Sequence, residues 1–253
     1  MIRTILFIIF ISLTVIDEAG AQSGTGSIKG HIHLSGKLPG NPFIRMGMDP
    51  MCTKASAGKR VLQEYVVATA DGSLANVFVN LKGNVPQTPV PTQPVTLDQR
   101  GCLFFPRVLG VRLGQTLQVK NSDAFLHNAH ALSGKDQGFN VGQPTAGNVY
   151  NWKAKTEEVM LHIKCDIHNW MNAYVGIVSN PYFAVSDMTG TFHIDKVPAG
   201  TYTLQAWHER FGALTKTVSV KAGGVATVDF TYTGNEKTSS LRELPIPANA
   251  FSN

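Results

Sequence analysis

Three soft or borderline metal donors fall within a short stretch of the chain. They are Cys165, His168 and Met171, spaced Cys-x2-His-x2-Met at the end of the run Leu161–Met171. A thiolate, an imidazole and a thioether together suit copper. Alternation places Leu161, Ile163 and Cys165 on the inward face of a strand and turns His162 and Lys164 outward. The strand is expected to end at Cys165 in a tight loop that brings His168 and Met171 back towards the thiolate. Such a centre needs a second imidazole from elsewhere. His127 supplies it, following an apolar strand that begins at Val119 and a turn at Asn121–Asp123. Zinc accepts a Cys and two His, but takes a carboxylate, a third His or water in preference to a thioether. Met171 therefore tips the choice to copper.

Taken singly, each of these residues has an ordinary reading. An inward Cys is a small hydrophobe, a loop His is satisfied by local hydrogen bonds, and a Met fills a core. The set points to a metal because all its members occur in order in a chain with 3 Cys, an odd number, so that one thiol is left for chemistry. The other histidines carry weaker readings. His130 either lines the mouth of the centre or sits on the surface, while His31, His33, His162 and His193 are scattered. His208-Glu209 opens a near miss for the H-E-x-x-H zinc motif, without the second His and on a strand. No G-x-S-x-G, phosphate-binding or dinucleotide motif is present, and no turnover chemistry is expected.

These donors need a frame, and strand signals dominate the sequence that must provide it. Residues Gly26–Leu34, Gln63–Ala68, Asn76–Leu81, Val108–Leu113, Thr116–Lys120, Glu158–Lys164 and Ala173–Val178 read as strands. After them, Asp187–Gly190, Pro198–Gly200 and Gly223-Gly224 punctuate further strands up to Tyr232. Turns every 8–12 residues, with no window of helical periodicity, imply an all-β protein of sandwiches or barrels. Val85–Pro94 is too rich in Pro for a helix or a central strand and reads as a connection. Composition agrees. The chain has 253 residues, 15% charged and 43% hydrophobic, which excludes coiled-coil and disordered classes.

The N-terminus reads as a targeting signal: Arg3, a short apolar run Ile5–Ile16, and Ala19-Gly20-Ala21 as the cleavage site. That run falls short of the roughly 20 apolar residues needed to cross a bilayer, and no later stretch reaches it, so no transmembrane segment is expected after cleavage. The net charge of +5 is spread thinly, without a basic block, so nucleic-acid binding is not expected.

The upstream strand, turn and His127-Asn128 pair, followed by Cys-x2-His-x2-Met, resembles the blue-copper cupredoxins, with the short ligand loop closest to the amicyanin type. The resemblance covers Val95 to about Asn180. It implies one type 1 copper ion held by His127, Cys165 and His168, with Met171 as a long axial ligand. It also implies that Asn128 ties the two ligand loops together. Trp170, between two of these ligands, is expected to shield the ion from water. With Cys165 so assigned, the remaining Cys52 and Cys102 are paired by elimination. A bridge between them closes a loop of about 50 residues, worth on the order of 3–4 kcal/mol.

Downstream, the run Phe183–Leu204 resembles the carboxypeptidase regulatory-like, transthyretin-like sandwich. It has that family's Asp-x-x-Gly turn at 187–190 and its Pro-x-Gly-x-Tyr motif at 198–202. The order resembles a two-part architecture often labelled methylamine utilisation protein. The expected fold is thus all-β, a cupredoxin Greek-key sandwich plus a transthyretin-like β-sandwich. The expected segments are a signal peptide (1–21), N-terminal strands (22–93), a copper domain (94–180), the regulatory-like domain (181–234) and a tail (235–253). Such regulatory-like modules begin with Gly-x-Ile-x-Gly and a strand reading Ala-x-Val-x-Val. Both patterns stand ahead of the copper domain here, in Gly26–Gly30 and Ala75–Val79. We therefore expect the N-terminal strands to join the C-terminal segment in one sandwich, with the copper domain inserted. The alternative is that they extend the cupredoxin.

These resemblances imply a periplasmic or secreted one-electron carrier, not an enzyme. The ring edge of His168 would be its exit to a redox partner such as a c-type cytochrome or an exported dehydrogenase. Two alternatives remain: copper delivery or storage, and a carbohydrate- or surface-binding module with a cupredoxin scaffold.

Overall fold

A computed structural model describes residues 24–236. The signal-peptide reading, and the tail reading beyond residue 236, lie outside the described residues. In chain order, β1 (Thr25–Leu34) leads through a 3-10 turn (Met46–Met48) and helix α1 (Pro50–Ala55) to β2 (Phe78–Lys82). Then come β3 (Val95–Arg100), β4 (Leu103–Phe105), β5 (Val108–Arg112), β6 (Thr116–Asn121) and β7 (His127–Leu132). They are followed by β8 (Phe139–Gln143), β9 (Val149–Lys153), β10 (Glu158–Lys164) and β11 (Asn172–Val178). The last six are β12 (Phe183–Val185), β13 (Thr191–Pro198), β14 (Gly200–His208), β15 (Gly212–Val220), β16 (Val225–Thr227) and β17 (Phe230–Tyr232). The fold is all-β, as alternation and turn spacing imply.

Two sandwiches result. In one, the sheet β5-β11-β10-β7-β8 faces β4-β3-β6-β9 across a core that includes Leu97, Leu117, Val119, Leu161, Ile163 and Val175. In the other, β13-β1-β16, with β17 also on β1, faces β12-β2-β14-β15 across Ile28, Ile32, Val79, Leu204 and Phe230. Strand β1 is antiparallel to β13 and parallel to β16 and β17. Strand β2 lies between β12 and β14. The chain thus leaves this second sandwich after β2, builds the first with β3 to β11, and returns at β12.

All seven residues of β11 are buried. A central strand covered on both faces must be apolar without alternation. Its outer cover comes from the second sandwich. Phe78 and Trp207 pack with Val108, Tyr174 and Val178 in one buried cluster. Gly176 makes the close approach feasible, because a Cβ there would stand 2.3 Å from the Phe78 ring. Beside this contact, Arg107 forms a two-pronged ion pair with Glu209, both bonds 2.8 Å long. The two side chains are only 9% and 5% exposed.

Two local expectations differ from the structure. Gln63–Ala68 is not a strand. Its amides find scattered partners instead, Gln63 N–H on the Pro42 carbonyl and Val66 N–H on the Asn41 side chain. No neighbouring strand lies in register to complete a ladder. The second difference is α1, six residues long and too short to show a period. Its mark is chemical: Asp49 caps the first turn and Pro50 occupies the first helical position.

Two stability predictions follow from the buried polar groups. Glu209→Gln leaves the Arg107 charge buried without a counter-ion and should destabilise by about 3–5 kcal/mol, whereas replacing both residues by Met should cost much less. Denaturant titration checks this, and equal losses would refute it. His208 is 1% exposed and stacked on Phe211. Burial, aided by Arg107 and Arg210, pushes its imidazole from 6.5 down to about 3. Between those values the unfolded chain binds a proton that the folded ring refuses, so this contribution to stability falls as pH drops through the window. His208→Asn should show a smaller fall in Tm between about pH 7 and pH 4.5 than the parent; an equal fall would count against it.

Candidate metal centre

The loop Cys165–Met171 is local in origin. Strand β10 ends at Lys164, and the chain turns through Cys165–Met171 before β11. The turn is closed by Met171 N–H on the His168 carbonyl and Cys165 N–H on the Met171 carbonyl, at 2.9 and 3.1 Å. His127 begins β7, which pairs with β10. Strand pairing therefore brings two segments, 38 residues apart, to the same end of the sandwich.

Three donors converge there. The Nδ1 atoms of His127 and His168 stand 3.0 Å apart, and Cys165 Sγ lies 3.7 Å from His168 Nδ1. His127, Cys165, His168 and Met171 are all at most 2% exposed. Met171 closes the loop inside the apolar cluster that also holds Cys165. Each imidazole uses its other nitrogen on a carboxylate: His127 Nε2 on Asp123 and His168 Nε2 on Asp49, both at 2.9 Å. With Nε2–H donating outward, both Nδ1 lone pairs point inward at each other and at the thiol. Such an arrangement is stable only with a proton or a cation among the lone pairs.

The electrostatics agree. Burial works against the Cys165 thiolate, but hydrogen bonds from His127 and His168 outweigh it and bring the thiol from 9.0 down to about 6. Burial likewise opposes charge on His127, but Asp123 and Cys165 outweigh it and raise the ring to about 9. His168 is raised too, with Cys165 and Asp49 overcoming burial. These shifts have one sense: the centre favours negative charge on the thiol and positive charge among the ring nitrogens. A metal ion would take the place of the protons.

The donor set fits copper. Two imidazoles and a thiolate face one point, and both neighbouring carboxylates are engaged on the far side of the rings. A tetrahedral zinc site would want a harder fourth donor in the centre.

The surrounding residues hold this geometry. Asn128 joins the His127 and Cys165 segments, its Oδ1 accepting from Asp166 N–H at 2.6 Å and its Nδ2 donating to Asp166 Oδ2 at 3.0 Å. Trp170 lies against His168 with ring centroids 5.1 Å apart and donates its indole N–H to the Cys102 carbonyl. Phe125 meets His127 edge-on at 5.1 Å. Cys52 and Cys102 form a disulfide. His130 does not turn towards the centre and pairs with Asp166 at 2.9 Å.

One expectation is corrected here. The edge of His168 is not open to a partner. The ring is 2% exposed, its Nε2 is taken by Asp49, and the turn and helix Met46–Ala55 bring that carboxylate over it. The residue of this site that the sequence does not reveal is Asp49, 119 positions from His168. The signal for the short helix, Asp49-Pro50, was present, but nothing in it points to a distant imidazole. Asp123 stands in the turn Asn121–Asp123, whose sequence likewise carries no sign of the bond to His127.

Residues 171–233 match the family model of the carboxypeptidase regulatory-like domain. The match runs from the β11 region through β17, while β1 and β2, which pair with these strands, lie outside it. No curated protein matches the chain significantly. Among solved structures, the chain is similar to a copper-containing nitrite reductase from Thermus scotoductus SA-01, at 16% identity over 58% of this chain and 28% of that one, with TM-score 0.32. The chain thus spans little more than a quarter of the reductase's length. It is also similar to a purple cupredoxin from Nitrosopumilus maritimus, at 17% identity over 32% of this chain and 97% of that one, with TM-score 0.29. A Cu(I) methionine-to-alanine variant of amicyanin is similar at 17% identity over 39% of this chain and 97% of that one, with TM-score 0.30. These likenesses carry no weight for the chemistry, which rests on the side chains of this chain.

Asn128→Ala should leave the Asp166 amide without a partner and loosen the ligand loop. The expected loss of stability in the metal-free protein is about 1–3 kcal/mol by thermal or denaturant unfolding; an unchanged midpoint would refute the tie.

Proposed function

We propose that the protein is an exported copper protein that carries single electrons between partners, with His127, Cys165, His168 and Met171 as ligands of one ion. The observation that carries this reading is the 3.0 Å confrontation of two inward Nδ1 atoms beside a buried thiol. Bound copper would supply one-electron redox chemistry. The chain would supply rigidity. Carboxylates fix both rings, Asn128 fixes the loop, and two packed sheets fix the strands, so the donors have little freedom to rearrange with each electron.

Complete burial of the donors, under a covering turn and helix, favours a resident ion over one that is handed on, and so favours a carrier over delivery or storage. The short apolar N-terminal run and a bridged pair of thiols support export to the periplasm or beyond. Among the described residues no helix is long and apolar enough to cross a membrane. A net charge of +5 favours an acidic partner, the class to which a c-type cytochrome or an exported dehydrogenase with an acidic face would belong.

The test is direct. Cu(II) added to the purified protein should produce an intense visible thiolate-to-copper band that is lost in Cys165→Ser. Met171→Leu should keep the ion and raise its reduction potential. Absence of the band in the parent protein would sink the proposal, and polysaccharide retention without copper would favour a binding module instead.

A further inference from the structure

The two carboxylates behind the imidazoles are built alike. Asp49 accepts from the backbone N–H groups of Met51 and Cys52 at 2.8 and 3.1 Å, and its second oxygen meets His168 Nε2. Asp123 accepts from the backbone N–H groups of Gly101 and Cys102 at 2.8 and 2.9 Å, and meets His127 Nε2. Each carboxylate is therefore held by the amide of one half of the Cys52–Cys102 disulfide. Gly101 and Cys102, with φ of 60° and 58°, form the two-residue turn between β3 and β4 that aims both amides at Asp123. The bridge itself lies beside the centre, with Cys102 Sγ within 4.8 Å of a ring nitrogen of each histidine.

We infer that Asp49 and Asp123 are positioning residues of the metal centre. They hold both imidazoles with Nδ1 inward and favour the more highly charged state of bound copper, and the disulfide keeps the two carboxylates in register. The inference rests on the copper reading above. Its physical basis is twofold. A carboxylate accepting from the far N–H makes an imidazole a stronger donor. Extra negative charge around a thiolate also stabilises Cu(II) more than Cu(I) by Coulomb's law, with water screening less at Asp123, 10% exposed, than at Asp49, 31% exposed. Lys164 shows the contrast: it sits 2.8 Å from Asp166 and offsets that charge, whereas among the described residues Asp49 and Asp123 have only these imidazoles as ionic partners.

The experiment measures the midpoint potential and the copper spectrum of Asp49→Asn and Asp123→Asn, with Asp195→Asn, remote from the centre, as control. Asn removes the charge but keeps only one of the two accepting oxygens, so unfolding midpoints are measured beside the potentials: a purely structural role would lower the midpoint and leave the potential unmoved. Each substitution should lower the Cu(II):Cu(I) affinity ratio about tenfold, which for a one-electron couple raises the potential by about 59 mV. Asp49→Ala, which frees the ring as well, should also alter the thiolate-to-copper band. If the parent protein shows that band and both Asn variants keep the potential of the Asp195→Asn control, the inference is overturned while the copper reading stands. If the parent binds no copper, both fall. Should Asp123→Asn fail to fold because its turn is lost, Asp49→Asn decides alone, since that side chain is 31% exposed on the covering segment.

Discussion

Two imidazole nitrogens facing each other in a dry interior cannot be left to themselves. With both Nε2–H groups donating outward, the Nδ1 lone pairs of His127 and His168 repel across 3.0 Å, and the Cys165 thiolate adds a third electron-rich atom. Everything near the centre acts to hold these donors in place against that repulsion. The sheet pairing of β7 with β10 fixes where the two segments start, the closed turn 165–171 fixes where the loop ends, and the two Asp residues decide which nitrogen of each ring faces in. A proton or a cation among the three atoms relieves the whole arrangement.

The frame extends beyond one sandwich. Strand β11 carries the C-terminal side of the ligand loop, and its outer face is covered by Phe78 and Trp207 of the other sandwich. Gly176 lets the Phe78 ring approach the strand closely, and the Arg107–Glu209 fork adds an interaction with strict geometry at the same boundary. The segment between β1 and β2 then crosses back and lays Asp49 on His168. The second sandwich is therefore part of what positions the loop, through β11 on one side and the covering turn and helix on the other.

Legibility followed the range of the interactions. The all-β class was readable because alternation is a local property of each strand, and Cys165, His168 and Met171 were readable because a single loop sets their spacing. His127 was within reach because its strand and turn are written in consecutive residues. Asp49 was not, since its role depends on a contact 119 positions away and on a helix too short to leave a period. Gln63–Ala68 misled for the opposite reason. Its β-branched and aromatic residues have strand character, but a strand needs a partner edge, and the chain offers this segment only isolated contacts. The closed edge of His168 belongs to the same class of fact, because loop sequence says nothing about what a distant segment will cover.

The bonds that immobilise the rings cannot be separated from their charge. A backbone carbonyl or an amide would orient an imidazole as well as a carboxylate does, and would leave the balance between oxidation states nearly untouched. This chain uses carboxylates twice, and holds each with the amide of a cysteine from the same disulfide. Orientation of the two imidazoles, closure of the His168 edge and the negative charge beside the rings therefore share one set of contacts, so none of the three can be changed by sequence drift without moving the others.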